Sequence, residues 1–177
     1  MADLAFNTKP GEVVARNLLL LYLNTGASAE TPTWSIVGKR VEDSSMEYDW
    51  GDETKIDILG ATHTTMKKPV ITQTFEPCEL DGEDTAQVRI WNQAIKDQDT
   101  GAMCNNDLLV VHLYAGTKDT AAFAERYPSS MIKPSGLGGS SNVGMPIGVT
   151  FGGERTTGTA KIAKGAVTFT ADGSLPA

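Results

Sequence analysis

Residues 18–23, LLLLYL, form a continuous apolar run of strand length, although periodicity alone does not separate such a run from a short helical segment. Ahead of it, residues 1–16 mix charges with Pro10-Gly11 and show no period, which predicts an N-terminal arm. Behind it, a Gly/Ser/Ala turn leads to a second short strand around residues 34–37. The pattern then alternates: Met46, Tyr48 and Trp50, and after them Ile56 and Ile58, are spaced by charged residues, with Gly51-Asp52 between the two halves. That alternation predicts a hairpin with one apolar and one wet face, turning near residues 50–53. Its acids (Glu42, Asp43, Glu47, Asp49, Asp52, Glu53 and Asp57) are met within the stretch only by Lys55. A segment so charged is costly to bury, so the hairpin, about residues 40–66, is expected to project.

Residues 68–77, KPVITQTFEP, read as a strand rich in β-branched residues and ended by Pro77. The period then changes to helical, with Val88, Trp91 and Ile95 on one stripe. Asp81 is the expected N-cap, Glu83 and Asp84 the acids of the first turn, Lys96 the cation of the last, and Gly101 the stop. The expected helix covers about residues 82–99, its stripe packing on the core. Residues 107–116, DLLVVHLYAG, read as a fully buried central strand, and 121–127 as a weaker element. The last third is turn-rich, holding half of the 18 glycines within residues 136–165, and alternates as strands do at 146–151 and 165–172. The fold class is mainly β: a β-sandwich or barrel with one flanking α-helix.

Composition narrows the function classes. At 177 residues the chain makes one domain with a sizeable core, and its apolar and charged fractions, 40% and 21%, are those of a folded soluble chain. A net charge of −7 argues against holding nucleic acid by phosphate neutralisation. Cys78 and Cys104 are too few for a disulfide framework or a CxxC metal motif and read as reduced thiols. Residues 18–29 have something of a signal peptide, but the apolar run is short and Asp3 and Glu12 precede it, so no processing is expected. No run approaches the ~20 apolar residues of a membrane helix.

The richest concentration of candidate chemistry is EPCELDGED, residues 76–84. It lacks the Asp-x-Asp-x-Asp-Gly frame of a calcium loop, and acids ahead of a helix are what capping and the macrodipole favour, so it reads as a corner. GLGGSSNVG, residues 136–144, has no Lys-Ser/Thr ending and opens no helix, which leaves a flexible or tightly turning loop instead of a phosphate cradle. His63 and His112 have no Cys or His at ligand spacing, and no G-x-S-x-G elbow is present. No catalytic residue, cofactor or metal site is expected, although a site assembled only in three dimensions would leave no such trace. An arm, a projecting hairpin, a Gly-rich loop and the tail at 173–177 are instead features of a subunit that binds copies of itself.

The stretches KIDILGATHTTMKKPVITQTFEPCEL (55–80), LLVVHLYAG (108–116) and KPSGLGGSSNVGMPIGVTFGGERTTGTAKI (133–162), running into GAVTFTAD (165–172), carry a family resemblance. In this order the chain, over roughly residues 17–172, resembles the major tail tube proteins of long-tailed (siphophage-type) bacteriophages and prophages. The resemblance implies a structural virion protein without enzymatic activity, a homo-oligomer of stacked, commonly six-membered rings that form the tail tube. Its implied partners are a tape-measure protein inside the tube and the tail terminator and baseplate or distal tail proteins at its ends. DNA would pass through the lumen without specific binding, and no membrane would be involved. The implied location is the virion tail, made and assembled in the bacterial host cytoplasm. The matching hairpin would reach an adjacent ring, with Tyr48, Trp50, Asp52 and Glu53 as candidate inter-ring contacts near its tip. The alternatives are the inner tube of a contractile tail or secretion machine, and a monomeric β-sandwich binding module.

Overall fold

A computed structural model describes residues 4–172 of the chain. Twelve strands follow one another as β1 (Leu19–Asn24), β2 (Trp34–Val37), β3 (Val41–Asp43), β4 (Met46–Asp49), β5 (Glu53–Ile56), β6 (Thr62–Thr65), β7 (Val70–Cys78), β8 (Asn106–Thr117), β9 (Ala121–Pro134), β10 (Ile147–Thr150), β11 (Thr156–Ala163) and β12 (Ala166–Ala171). Helices α1 (Thr85–Trp91) and α2 (Thr100–Met103) stand between β7 and β8. All strand pairings are antiparallel.

The 14-residue β9 organises the fold. Its first half lies between β8 and β11, in a row running β2-β1-β8-β9-β11-β12. Its second half, residues 131–134, pairs instead with β10, and β10 leads to β7, which carries β3 and β4. One strand thus belongs to two sheets, and the sheets face each other across a first apolar cluster. Leu21, Leu23, Leu108, Val110 and Tyr127 meet Ile71, Phe75, Ile132, Ile147 and Val149 there. A second cluster contains the residues that alternate with these: Tyr22, Leu109, Val111, Leu113, Ala122, Ala124 and Ala160. Burying both faces of β8 obliges the sheet to curl, and the alanines on β9 and β11 let it do so closely; the result is a half-barrel with one helix beside it. Gly158 marks a close approach of β11 and β12, since a Cβ there would meet the Thr170 carbonyl oxygen at 2.2 Å. Gly116, at φ +84°, makes the bulge that turns β8 into β9.

Several sequence expectations hold: β1, β2, β8, β10 and β12 lie where the pattern placed them, and β8 is central. Others are corrected. The strand over 68–77 does not end at Pro77 but runs to Cys78, because the β10 ladder has already stopped at Phe75 and β3 pairs on the other edge. The weak element at 121–127 is the longest strand, and β11, unanticipated, is its partner. The helix is broken: α1 gives way to a π-helical turn, Asn92–Lys96, and α2 follows as a separate turn with Asp99 as its N-cap. Its buried face is Ala86, Gln87 and Ile90, while Val88 is exposed and Trp91 and Ile95 are half-buried. The fully buried residues are those facing β2 and β9, against which α1 lies; of the expected stripe, Trp91 packs against the first cluster while Val88 is left at the surface.

Residues 5–7 of the N-terminal arm are tied down. The Asn7 amide donates to the Tyr114 carbonyl and the Gly116 amide to the Ala5 carbonyl, with Phe6 edge-on to Tyr114. The expected tail at 173–177 lies outside the described residues.

Candidate assembly surface

The corner at residues 76–84 is a structural joint. Asp84, not Asp81, is the N-cap: its Oδ1 accepts from the amides of Ala86 and Gln87 at 3.0 and 3.2 Å. Gln87 closes the joint from the helix side, donating to Cys78 Sγ and the Glu79 carbonyl while its Oε1 accepts from the Asp81 amide. Asp81 lies outside the helix and pairs with Arg40 at 3.2 Å. The Glu83 amide and then Arg40 hold its carboxyl below the usual carboxylate range. The Gly-rich loop is tight: Gly138 and Gly144 exchange two backbone hydrogen bonds, and Val143 and Met145 fasten it to the end of β7. Among the described residues no group of three or more His, Cys, Asp or Glu side chains converges as a metal site, and no helix is long and apolar enough to cross a membrane.

The hairpin leaves the body as predicted but does not turn where expected. β4 pairs with the start of β7, the Lys67 amide donates to the Trp50 carbonyl, and β5 then pairs with β6 as a separate two-stranded sheet. The chain runs on through residues 50–53 and reverses at 57–61. The reason is Asp57. Its Oδ1 accepts from the amides of Leu59 and Ala61 at 2.8 and 2.9 Å, and its Oδ2 lies 2.9 Å from His63 Nε2. The His63 hydrogen bond, with those amides, keeps the Asp57 carboxyl below its ordinary range. An Asp that can build its own turn outcompetes Gly51-Asp52, where the chain bends at Gly51 (φ +50°) without reversing. The true tip is therefore Ile58 and Leu59, 102% and 88% exposed.

The four sequence candidates lie partway along the hairpin. Tyr48 and Trp50 stack at 6.2 Å and are each about half exposed. Glu53 pairs on the surface with Lys55 and Lys67, and Asp52 is exposed. Tyr48 stands at the base, beside a network that sequence reasoning missed. Glu125 on β9 is 6% exposed and is held by His112 Nε2 at 3.1 Å and by Arg155, while His112 Nδ1 meets the Tyr114 hydroxyl at 2.7 Å. Burial pulls the Glu125 carboxyl upward, but the hydrogen bonds from His112 and Arg155 outweigh it and leave it below the usual range. Burial beside this carboxylate pushes Tyr127 up to about 12. His112 lies on β8, 13 residues before Glu125, and Arg155 just ahead of β11, 30 residues after it, so no local motif signals the network.

Two further features face outward. Among the described residues, β2 and β12 each pair along one edge only and leave the other as an open ladder. Between β2 and β3, where the two sheets part, a groove of about 400 Å³ opens, walled by Leu19, Ile36, Val41 and Phe75 and floored by Gln73.

These features define a class: a mainly β, curled half-barrel subunit with one flanking helix, open edges and a projecting arm. No protein-family model matches the chain, and no curated protein matches it by sequence. Among solved structures it is similar to a chain of the sheath–tube complex of an extracellular contractile injection system, PVC, in the extended state. The TM-score is 0.47 at 10% identity, over 84% of this chain and 93% of that one. It is also similar to the tube-terminating cap of the anti-feeding prophage, with TM-score 0.49 and 12% identity over 87% and 96%. A third is a sheath/tube terminator of the PVC system in the extended state, with TM-score 0.49 and 9% identity over 84% and 99%.

Proposed function

We propose that this protein is a non-enzymatic subunit that self-assembles into stacked rings, forming the tube, or the cap of the tube, of a tail-like injection apparatus. The observation that carries it is the hairpin over residues 46–70, which extends an apolar tip that its own fold does not cover. A monomer gains nothing from exposing Ile58 and Leu59 on a shaped turn, whereas a partner surface would bury them. Open edges on β2 and β12 support the same reading, because joining edges between neighbours satisfies ladders that a monomer leaves to water. A ring closed in this way stacks through a heterologous contact, which propagates into a tube.

The finer version implied by the sequence resemblance is the major tail tube protein of a long-tailed bacteriophage, in which the tube would surround a tape-measure protein and pass DNA. The other setting is a contractile apparatus, in which a sheath would surround the tube. Negative-stain microscopy of the purified chain over a concentration series tests the common reading. Rings or hollow tubes are expected, and a monomer at every concentration, by light scattering and microscopy alike, would sink it. Co-assembly with a sheath protein separates the two settings.

A further inference from the structure

The groove between β2 and β3 has three properties that the folded monomer does not use. Its walls are aliphatic and aromatic although it is open to solvent. Gln73, 3% exposed on its floor, donates to Ser44 Oγ but leaves its own Oε1 without a hydrogen-bond partner. A buried acceptor left unpaired is costly and marks a place where a donor belongs. Arg16 and Lys39 on the rim have no carboxylate within ion-pair distance among the described residues, Arg16 being turned to the Ser44 and Leu19 carbonyls.

The hairpin tip supplies the complementary set. Ile58 and Leu59 are two aliphatic side chains on a turn fixed by Asp57, and a cavity of roughly 150 Å³ already holds a benzene-sized group, so the groove has room for both. The amides of Leu59, Gly60 and Ala61 are used within the turn, which leaves the Ile58 N–H as the donor that a buried acceptor could take, among the described residues. Asp49 and Asp52 on the stem have no cation within ion-pair distance among the described residues and match the two rim cations, while Lys68, outside the Glu53 pairs of Lys55 and Lys67, is the stem cation available to the rim acids Glu42 and Asp43.

Placement adds the decisive constraint. Ser44 and Asp43 put the groove beside the base of the hairpin, in the corner between β3 and β4, so donor and acceptor sit at opposite ends of one element. The stem from residue 50 to 58 reaches at most about 26 Å at ~3.3 Å per residue, the bend at Gly51 shortening it. A tip at that distance seats in another copy, and each copy then offers its own tip to the next. We propose that the groove between β2 and β3 is the receptor for the hairpin tip of a second copy of this chain, Ile58 and Leu59 entering between Ile36 and Phe75. This rests on the self-assembly reading and specifies its axial contact.

The test uses the full chain with Cys104, the exposed thiol, replaced by Ser. One variant carries Leu59→Cys at the tip, another Lys39→Cys on the groove rim, and a control carries Lys164→Cys on the β11–β12 turn. With a short bis-maleimide, the mixture of the tip and rim variants should give a cross-linked dimer at least about tenfold above either alone or the tip and control mixture, with 1.4 kcal/mol per tenfold as the scale. Leu59→Asp and Lys39→Glu, both at exposed positions, should each abolish stacks while leaving the unfolding midpoint in place. Rings or tubes that form without the tip-to-rim cross-link, or that persist in both blocking variants, overturn the docking and leave self-assembly standing. A chain that never assembles overturns both. A cross-link to the control site instead assigns the tip another receptor and overturns this one.

Discussion

The central strand β8 and the hairpin strands β5 and β6 are opposite solutions to placing side chains on a β-ladder. In β8 both faces are buried, Leu108 and Val110 toward one cluster and Leu109 and Val111 toward the other, all at 1% exposure or less. In β5 and β6 every residue is exposed on both faces. The first is held by the area it removes from water; the second has only its own ladder, surface ion pairs and the Asp57 turn. A two-stranded ribbon is marginal alone, and the proposed assembly gives it a partner surface. Under that proposal, folding energy and assembly energy are kept in separate parts of the molecule, and each can be changed without the other.

The largest test of that separation is a pair of truncations of the same residue type. Leu109→Ala should cost about 2–5 kcal/mol, by transfer plus cavity, whereas Leu59→Ala should stay within about 0.5 kcal/mol. Denaturant midpoints measure both, and a tip truncation as costly as the core one would erase the distinction. Next is the buried network at the hairpin base. Glu125→Gln should cost about 1–3 kcal/mol at neutral pH, since His112 and Arg155 lose their shared acceptor charge.

The pH dependence has a definite sign. A folded pKa held below the unfolded value of about 4.3 contributes stability that is present above that value and lost as pH falls through the folded one. Unfolding curves from neutral pH down to about 3 should therefore fall more steeply for the natural chain than for Glu125→Gln. Equal acid slopes would remove Glu125 from the account. The smallest effect separates the two acids of the corner. Asp84→Ala should cost about 0.5–2 kcal/mol as a lost cap, and Asp81→Ala less than that, because its partner Arg40 is largely exposed. The reverse order would return the cap to Asp81.

The corner shows how far local chemistry was legible. That EPCELDGED joins a strand to a helix followed from the types of its residues; which acid caps did not, because Asp81 and Asp84 both suit the position and the strand continues past Pro77 to Cys78. The hairpin divides in the same way. Its existence and acidity followed from alternation and charge, but Tyr48, Trp50, Asp52 and Glu53, expected near its tip, stand partway along it. Its turn did not, because two turn-forming stretches compete and only the closure of Asp57 on Ala61 and His63 decides between them.

By itself, then, the sequence determined the mainly β class, the central strand at 107–116, most strand positions and the absence of any local catalytic motif. These follow from period, propensity and spacing, which act between near neighbours. The tertiary structure decided that β9 serves two sheets, which face of α1 is buried, that Glu125 gathers His112 and Arg155, and that Gln73 faces a groove beside the hairpin's base. Each is a meeting of residues tens of positions apart, set by how the sheet curls to bury both faces of β8, and no short-range pattern carries that information.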